Sequence, residues 1–597
     1  MSALLSGINP GFVLIVLGLV ACFTPVQRVR NILSVGAPLA GLALLMMAER
    51  GVALSTASVL STELTLYYVD SLNFIFGLGF LLLAFLHAIY GMHRDDRLHE
   101  GAVLIFAGSA VAAVFAGDLM SLFIFWEIGT AAAAFLILRA GTKAAYQAGM
   151  RFLGFHILSG VLFLDGLIYV YKKSGGFSFA EAGLFDSFSG SAAKYIFAAL
   201  AIKAAFPLVH TWLKDVTSKM TVIGGVVLPL FTTVLAVYGF ARLFPGFDVL
   251  VWIGAIMAAY AVVFAAIVGD ARRALGYGQN ALSGLMICAV GIGTPLAINA
   301  AAGLAFMSLI VIGLLSMAVG AVVYSAGSAK FSALGGLWRS MPLTALFALI
   351  GAVSLSGLPL FLGGVTLPMV LSVVAGGSSL AVQIGVLIGV AGLVYALCLR
   401  LPLTVFFGED SRERPAEAPF NMVLAMGLSA LVCVLLALPK IFPGLGYDWL
   451  YSLLPCSAAA TDPASCTVTT VSLTGFEPYS SAHMLPVLQV TFGAALAFLV
   501  MRRIGLFRGG ASGVVLDTDW LYRKWGYGVA KWSGQVWQKI GPALSGVAGA
   551  LSGRVFSRLE ETFSPRGALA RTGLNSGAAI WSAVLLGVVM MVVLLSS

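Results

Sequence analysis

The stretch Ala198-Ala-Leu-Ala-Ile-Lys203-Ala-Ala-Phe-Pro207-Leu-Val-His210-Thr-Trp212 decides how this chain is read. It is an apolar run, yet it carries a lysine and is interrupted by Pro207. An ammonium placed in hydrocarbon costs about 2.5–3.5 kcal/mol even on the lenient insertion scale. Such a residue needs a carboxylate, water or a proton-transfer task. The matching acid is Glu127, which ends Leu122-Phe-Ile-Phe-Trp-Glu127, deep in another apolar run. A lone acid and a lone base in a helical bundle suggest ion or proton handling. The same pair also reads as a static salt bridge that only fixes helix packing.

The composition extends this reading to the whole chain. Of 597 residues, 60% are hydrophobic and only 10% are charged, which is the make-up of an integral membrane protein. A hydrocarbon core of about 30 Å takes about 20 apolar residues per helix. On that basis we expect about 16 spans, near 11–25, 31–49, 72–92, 101–117, 119–138, 152–171, 195–213, 221–241, 248–268, 275–294, 300–324, 342–361, 378–399, 420–439, 485–501 and 578–595. Segment 11–25 reads as a retained helix rather than a signal peptide, since no basic stretch precedes it and no small-residue cleavage site is clear.

The net charge of +9 is explained by orientation rather than by nucleic acid. With the N-terminus outside and the spans alternating, the outside loops hold only Arg50, Lys172, Lys173, Lys194, Arg242 and Lys440. Nearly all other Lys and Arg fall inside, Lys214, Lys330 and Arg400 among them. That asymmetry is the positive-inside rule. Cysteine labelling at engineered positions 450 and 540 should therefore mark opposite faces, and labelling from one face alone would overturn the topology. Cys22, Cys288, Cys398 and Cys433 lie in apolar runs as packing residues. Cys456 and Cys466 flank a short step of the outside loop 441–483, where a disulfide is chemically permitted. No Cys/His cluster suggests zinc, haem or iron–sulfur ligation, so neither a metal nor a cofactor is expected.

Two spans are broken, at Phe206-Pro207 and at Gly357-Leu-Pro359-Leu-Phe-Leu-Gly363-Gly364. They are the seventh and the twelfth, five apart, which points to two inverted five-helix repeats. The expected divisions are 1–100, N-terminal helices; 101–244 and 245–408, the two repeats; 409–510, further helices with the outside loop; and 511–597, the tail. In the tail, Val529, Trp532, Val536, Ile540, Leu544 and Val547 recur at helical spacing opposite Lys531 and Lys539. This predicts a C-terminal amphipathic lateral helix over 517–563 on the inner lipid interface, followed by the anchor helix 578–595. The fold class is thus an all-α integral membrane protein.

The relay expected from the residues is Glu127, Lys203, His210 and Asp215. Burial lowers a lysine pKa and a nearby carboxylate raises it, so Lys203 can switch charge if its distance to Glu127 changes. His210 lies close to the break, where freed carbonyls attract water. Asp215 either exchanges protons with inside water or caps a turn. Asp118 and Asp165 read as solvated interface positions near span ends, and His156 as a packed core residue or a relay member.

These segments resemble the antiporter-like subunit family, which includes the large subunits of Mrp-type cation/proton antiporters and the membrane-arm subunits of NADH:quinone oxidoreductase. The resemblance covers nearly the whole chain. It is carried by Phe125-Trp126-Glu127, Ile202-Lys203-Ala204-Ala205, Pro207-Leu208, His210-Thr211-Trp212-Leu213 with Asp215, Asp270 with Arg273 and Tyr277, and Gly357-Leu358-Pro359. Tyr479 with His483, and Leu516-Asp-Thr-Asp-Trp-Leu-Tyr-Arg523, look most like the Mrp side; the long tail is also similar to the lateral helix of the terminal oxidoreductase subunit. The resemblance implies that Glu127 and Lys203 are the proton-modulating pair.

The departures are as informative. Leu228 or Val234 stands where the family places a basic residue in span eight. Ser308 and Ile312 replace those of span eleven, Leu367 lies near that of span twelve, and Lys214 replaces a proline. The implied function is that of one membrane subunit in a multisubunit Mrp-like monovalent cation (Na+)/proton antiporter, with a half-retained proton path. It would act in a bacterial inner membrane, with other subunits, protons, monovalent cations and lipid as partners. The rivals are a non-conducting structural or coupling subunit, and a proton-pumping subunit of a quinone oxidoreductase complex.

Overall fold

The computed structural model describes residues 7–59, 62–179, 185, 188, 190–409, 414–439, 446–455, 476–505, 517, 520, 528 and 531–534. Each apolar run expected between residues 11 and 501 forms a helix there. Three helices lead: α1 (Pro10–Phe23), α2 (Gln27–Met47) and α3 (Ser71–Gly91). Between α2 and α3 the chain adds an antiparallel hairpin of β1 (Ala53–Val59) and β2 (Thr62–Tyr68) that the hydropathy does not announce.

The next twelve helices repeat one order of elements. The first set is α4 (Arg97–Val114), α5 (Leu119–Leu138), the 32-residue α6 (Lys143–Ser174), a broken pair α7 (Ser191–Lys203) and α8 (Thr211–Lys219), and α9 (Gly224–Leu243). The second is α10 (Asp248–Ile267), α11 (Ala271–Ile292), the 32-residue α12 (Pro295–Ala326), a broken pair α13 (Pro342–Leu355) and α14 (Gly363–Gly377), and α15 (Leu380–Val405). Each long helix ends on a left-handed glycine, Gly175 and Gly327, which closes the last turn without a Cβ clash. Then follow α16 (Phe420–Leu435), the short α17 (Tyr447–Ser452) and α18 (Ser481–Arg503). The expected lateral helix over 517–563 falls, apart from a few positions, outside the described residues. The anchor helix 578–595, Cys456 and Cys466 lie outside them entirely.

Helix starts are fixed by short polar caps. Asp96, Asp118, Thr142, Asp270 and Thr294 each accept a hydrogen bond from the backbone N–H three residues on. This satisfies a donor that has no intrahelical partner. Asp118 corrects the sequence reading, which left it solvated. It is buried, and besides its cap it binds the Ser121 hydroxyl at 2.7 Å and the Thr65 N–H of the hairpin at 2.6 Å. The hairpin supplies the donors that hydropathy could not foresee.

α3, α9, α11 and α12 are enclosed on nearly every side, whereas α1, α2 and α18 keep an exposed apolar face. Helices that are hydrophobic all round belong at a bundle centre, and the exposed apolar faces suit lipid. The loop contacts also sort by end. Asp70 with Arg242, and Asp118 with Ser178, join loops that the alternation puts outside. Arg30 with Asp95 and Glu100, Arg139 with Asp96, and Asp270 with Lys330 join loops that it puts inside.

Candidate functional site

Lys203 is the last residue of α7, where the chain leaves the helix. Ala205 and Leu208 have positive φ, +60° and +77°, and Pro207 prevents the helix from resuming at once. A non-glycine residue in this region costs about 1–3 kcal/mol and persists only where its surroundings hold it, as functional sites often do. Lys203 closes the C-terminal turn of α7, where the negative end of the helix dipole favours a cation. The second break has the same build: Gly357 and Leu360 have φ of +79° and +66° on either side of Pro359.

Lys203 Nζ donates to Glu127 Oε1 at 3.1 Å and to Thr130 Oγ1 at 3.1 Å, and it lies 4.8 Å from the Trp126 ring centroid. Glu127, Thr130 and Trp126 share one stretch of α5, so that helix supplies the whole cradle. Gly160 on α6 makes room for the carboxylate: a Cβ there would lie 3.1 Å from Glu127 Cδ. Trp212 secures the break by donating from Nε1 to the Ile202 carbonyl at 3.0 Å. Lys203 is 2% exposed and the Glu127 side chain 8%, which makes this a buried ion pair with its protons directed.

The other expected relay members are drawn elsewhere. Asp215, on α8, pairs with Arg151 at 2.8 Å. His210 turns to Asp517, which follows α18 by more than a dozen residues and entered the sequence reading only within a motif. Asp517 is buried. It accepts from His210 Nε2 at 3.2 Å, from Lys214 Nζ at 2.5 Å, from the Tyr277 hydroxyl at 2.5 Å and from the Tyr260 hydroxyl. Burial raises the Asp517 carboxyl. His210, Lys214 and Tyr260 outweigh it by hydrogen bond and charge, and hold it well below the usual carboxylate range. Lys214, expected as an inside-loop charge, is therefore a buried counter-ion, 9% exposed. The described residues thus place three acid–base clusters around one broken helix: Glu127/Lys203 before the break, His210/Lys214/Asp517 after it, and Arg151/Asp215 beyond.

In the second repeat Ser308, Ile312 and Leu367 are buried, and Ser308 Oγ donates back to Ala305 O at 2.9 Å. Leu228 and Val234 of α9 are buried too. The centre is nevertheless not wholly apolar. Gln279 on α11 donates to Thr233 on α9 at 2.9 Å, and Asn280 and Ser283 are buried beside it on the same helix. These neutral amides and hydroxyls escape a sequence reading that follows titratable residues.

The centre of the chain, with its broken helix and buried pair, is similar to antiporter-like membrane subunits. Residues 116–393 match the family model described as NADH:quinone oxidoreductase/Mrp antiporter, transmembrane region. The chain is 22% identical over 391 residues to the D-type subunit of the Na+/H+ antiporter of Bacillus subtilis, covering 62% of this chain and 78% of that protein. It is 28% identical over 328 residues to NAD(P)H-quinone oxidoreductase chain 5 of Picosynechococcus sp., covering 50% of this chain and 49% of that one. One component of the solved Mrp complex from Dietzia sp. superposes with a TM-score of 0.72 at 20% identity, over 94% of this chain and 62% of that component. The match over residues 116–393 and these relatives make the chain similar to the large membrane subunits of Mrp antiporters and their respiratory relatives.

Proposed function

We propose that the protein is a membrane subunit of a multisubunit Mrp-like Na+/proton antiporter in a bacterial inner membrane, with a half-retained proton path. The buried Glu127–Lys203 pair at the helix break carries the reading. While the pair is closed, the carboxylate favours the charged ammonium. If the break lets the two separate, desolvation favours the neutral amine and a proton is released. An electrostatic event elsewhere in the complex that changes this distance would therefore move a proton. Residues 101–244 and 245–408 act as the two repeats, and only the first keeps its acid and base. The relatives' names support antiport. Besides the sodium antiporter of Bacillus subtilis, the A/B component of a probable K+/H+ antiporter of Rhizobium meliloti is 24% identical over 383 residues, 60% of this chain and 38% of that protein.

The second reading, a structural or coupling subunit without conduction, is favoured by the buried Ser308, Ile312 and Leu367. Purifying the complex through a tag on this chain and reconstituting it in vesicles with an internal pH dye separates the readings. An outward Na+ gradient should drive internal acidification, and K+ in its place should drive less. No response to either ion would overturn antiport. Proton movement that requires NADH would place the protein in the redox class.

A further inference from the structure

His156 lies on α6 one turn before Gly160, and its environment is more specific than core packing requires. The ring stacks on Phe152, with centroids 3.8 Å apart, and meets Trp212 edge-on at 4.7 Å. Its Nδ1 lies 2.9 Å from the Phe152 carbonyl. A carbonyl only accepts, so Nδ1 carries the hydrogen and Nε2 of the neutral ring carries the lone pair. That Nε2 is buried and has no hydrogen-bond partner among the described residues. The ring borders a chamber that it shares with Trp126 and Thr130 of α5 and Thr232 of α9. The chamber has room for about one water. Thr130 is the same hydroxyl that stands 3.1 Å from Lys203 Nζ. A buried polar acceptor with no partner calls for an explanation, since nearly all such atoms are paired with protein or ordered water.

We propose that His156 is the proton acceptor that follows Lys203, reached through Thr130 and one chamber water. The proposal rests on the antiport reading given above. In the step, the Lys203 ammonium gives a proton to the Thr130 oxygen. The hydroxyl turns from the Trp126 carbonyl and passes its own proton to the water, and the water gives one to His156 Nε2. One N–H bond breaks and one forms; Lys203 becomes a neutral amine, His156 an imidazolium, and Thr130 and the water are restored. The geometry matches the task. Thr130 donates its hydroxyl to the Trp126 carbonyl at 3.0 Å in the resting arrangement, so it is free to accept from Lys203. α9 brings Thr232 to this chamber but no titratable side chain, and His156 supplies from α6 the base that α9 lacks.

Two substitutions in the reconstituted complex test this, read as sodium-driven proton flux. His156→Phe keeps the aromatic packing and removes the acceptor. Thr130→Val keeps the shape beside Lys203 and removes the hydroxyl. Each should lower the flux at least tenfold while the complex assembles as the parent does. Either variant at the parental rate overturns the relay. If His156→Phe does not assemble, Thr130→Val, which leaves the ring untouched, decides by the same criterion. A parent complex that moves no protons overturns the proposed function and this step together. An active parent with a fully active variant overturns this step alone.

Discussion

Lys203→Ala should abolish sodium-driven proton flux and destabilise the protein by about 3–5 kcal/mol, because it leaves the Glu127 carboxylate buried without its counter-ion. The substitution also removes the ammonium from the Trp126 face and the donor from Thr130. Lys330→Ala is the control: that side chain is exposed in a connecting segment, and surface changes of this kind stay within about 0.5 kcal/mol. Thermal unfolding of the purified complex and the vesicle assay measure the two effects separately. Adding Glu127→Gln to a Lys203→Met protein should restore most of the stability, since no lone charge remains, while flux stays lost. A Lys203→Ala protein that unfolds and transports like the parent would exclude both a structural and a transport role for the pair.

The second large effect is expected at Asp517. Asp517→Asn removes one carboxylate from the buried Lys214 ammonium, and weakens the acceptor for His210, Tyr260 and Tyr277 together. Losing one partner of a buried pair costs about 3–5 kcal/mol. The hydroxyl terms overlap with that and do not simply add. A cycle with Lys214→Met should recover a coupling energy above about 1 kcal/mol; additive single mutants would show that the contact contributes nothing. The pH dependence has a definite sign. The folded carboxyl sits below its unfolded value of about 4, so its contribution is complete above that value and is lost as pH falls through the depressed pKa. The anchor is therefore insensitive to pH near neutrality and releases only in strong acid. The Asp517→Asn stability difference should still be present at pH 5 and shrink only as the pH falls below about 4.

Much of the site was legible because its residues violate the local pattern. Lys203 and Glu127 stand out as opposite charges in apolar runs, and each nearly requires the other. Pro207 and Pro359 mark the breaks because proline cannot donate to the helix that precedes it. The distribution of the other members was not legible. His210 and Asp215 lie in one short segment, yet they face different partners, Asp517 and Arg151. Spacing along a chain does not say which helix stands opposite. Lys214 read as an inside-loop charge because it falls just past the end of the expected span 195–213; its pairing with Asp517 links it to a residue some 300 positions away.

The sequence by itself determined the solvent of this protein, where most of its long helices run through residue 501, the two breaks, and which charged pair must be buried. All of these follow from hydrophobicity, backbone chemistry and the energy of an unpaired charge, which act locally or through a single unavoidable partner. The sequence did not announce the helices Gly363–Gly377 and Tyr447–Ser452. The tertiary structure decided the rest: that Asp118 is sealed under a hairpin, that Gly160 makes room for Glu127, that Asp517 closes over the second half of the broken helix, and that His156 faces a chamber beside Thr130. These depend on the rotation of each helix about its axis and on contacts between distant segments. Packing many side chains at once sets them, and no periodicity in the chain records the outcome.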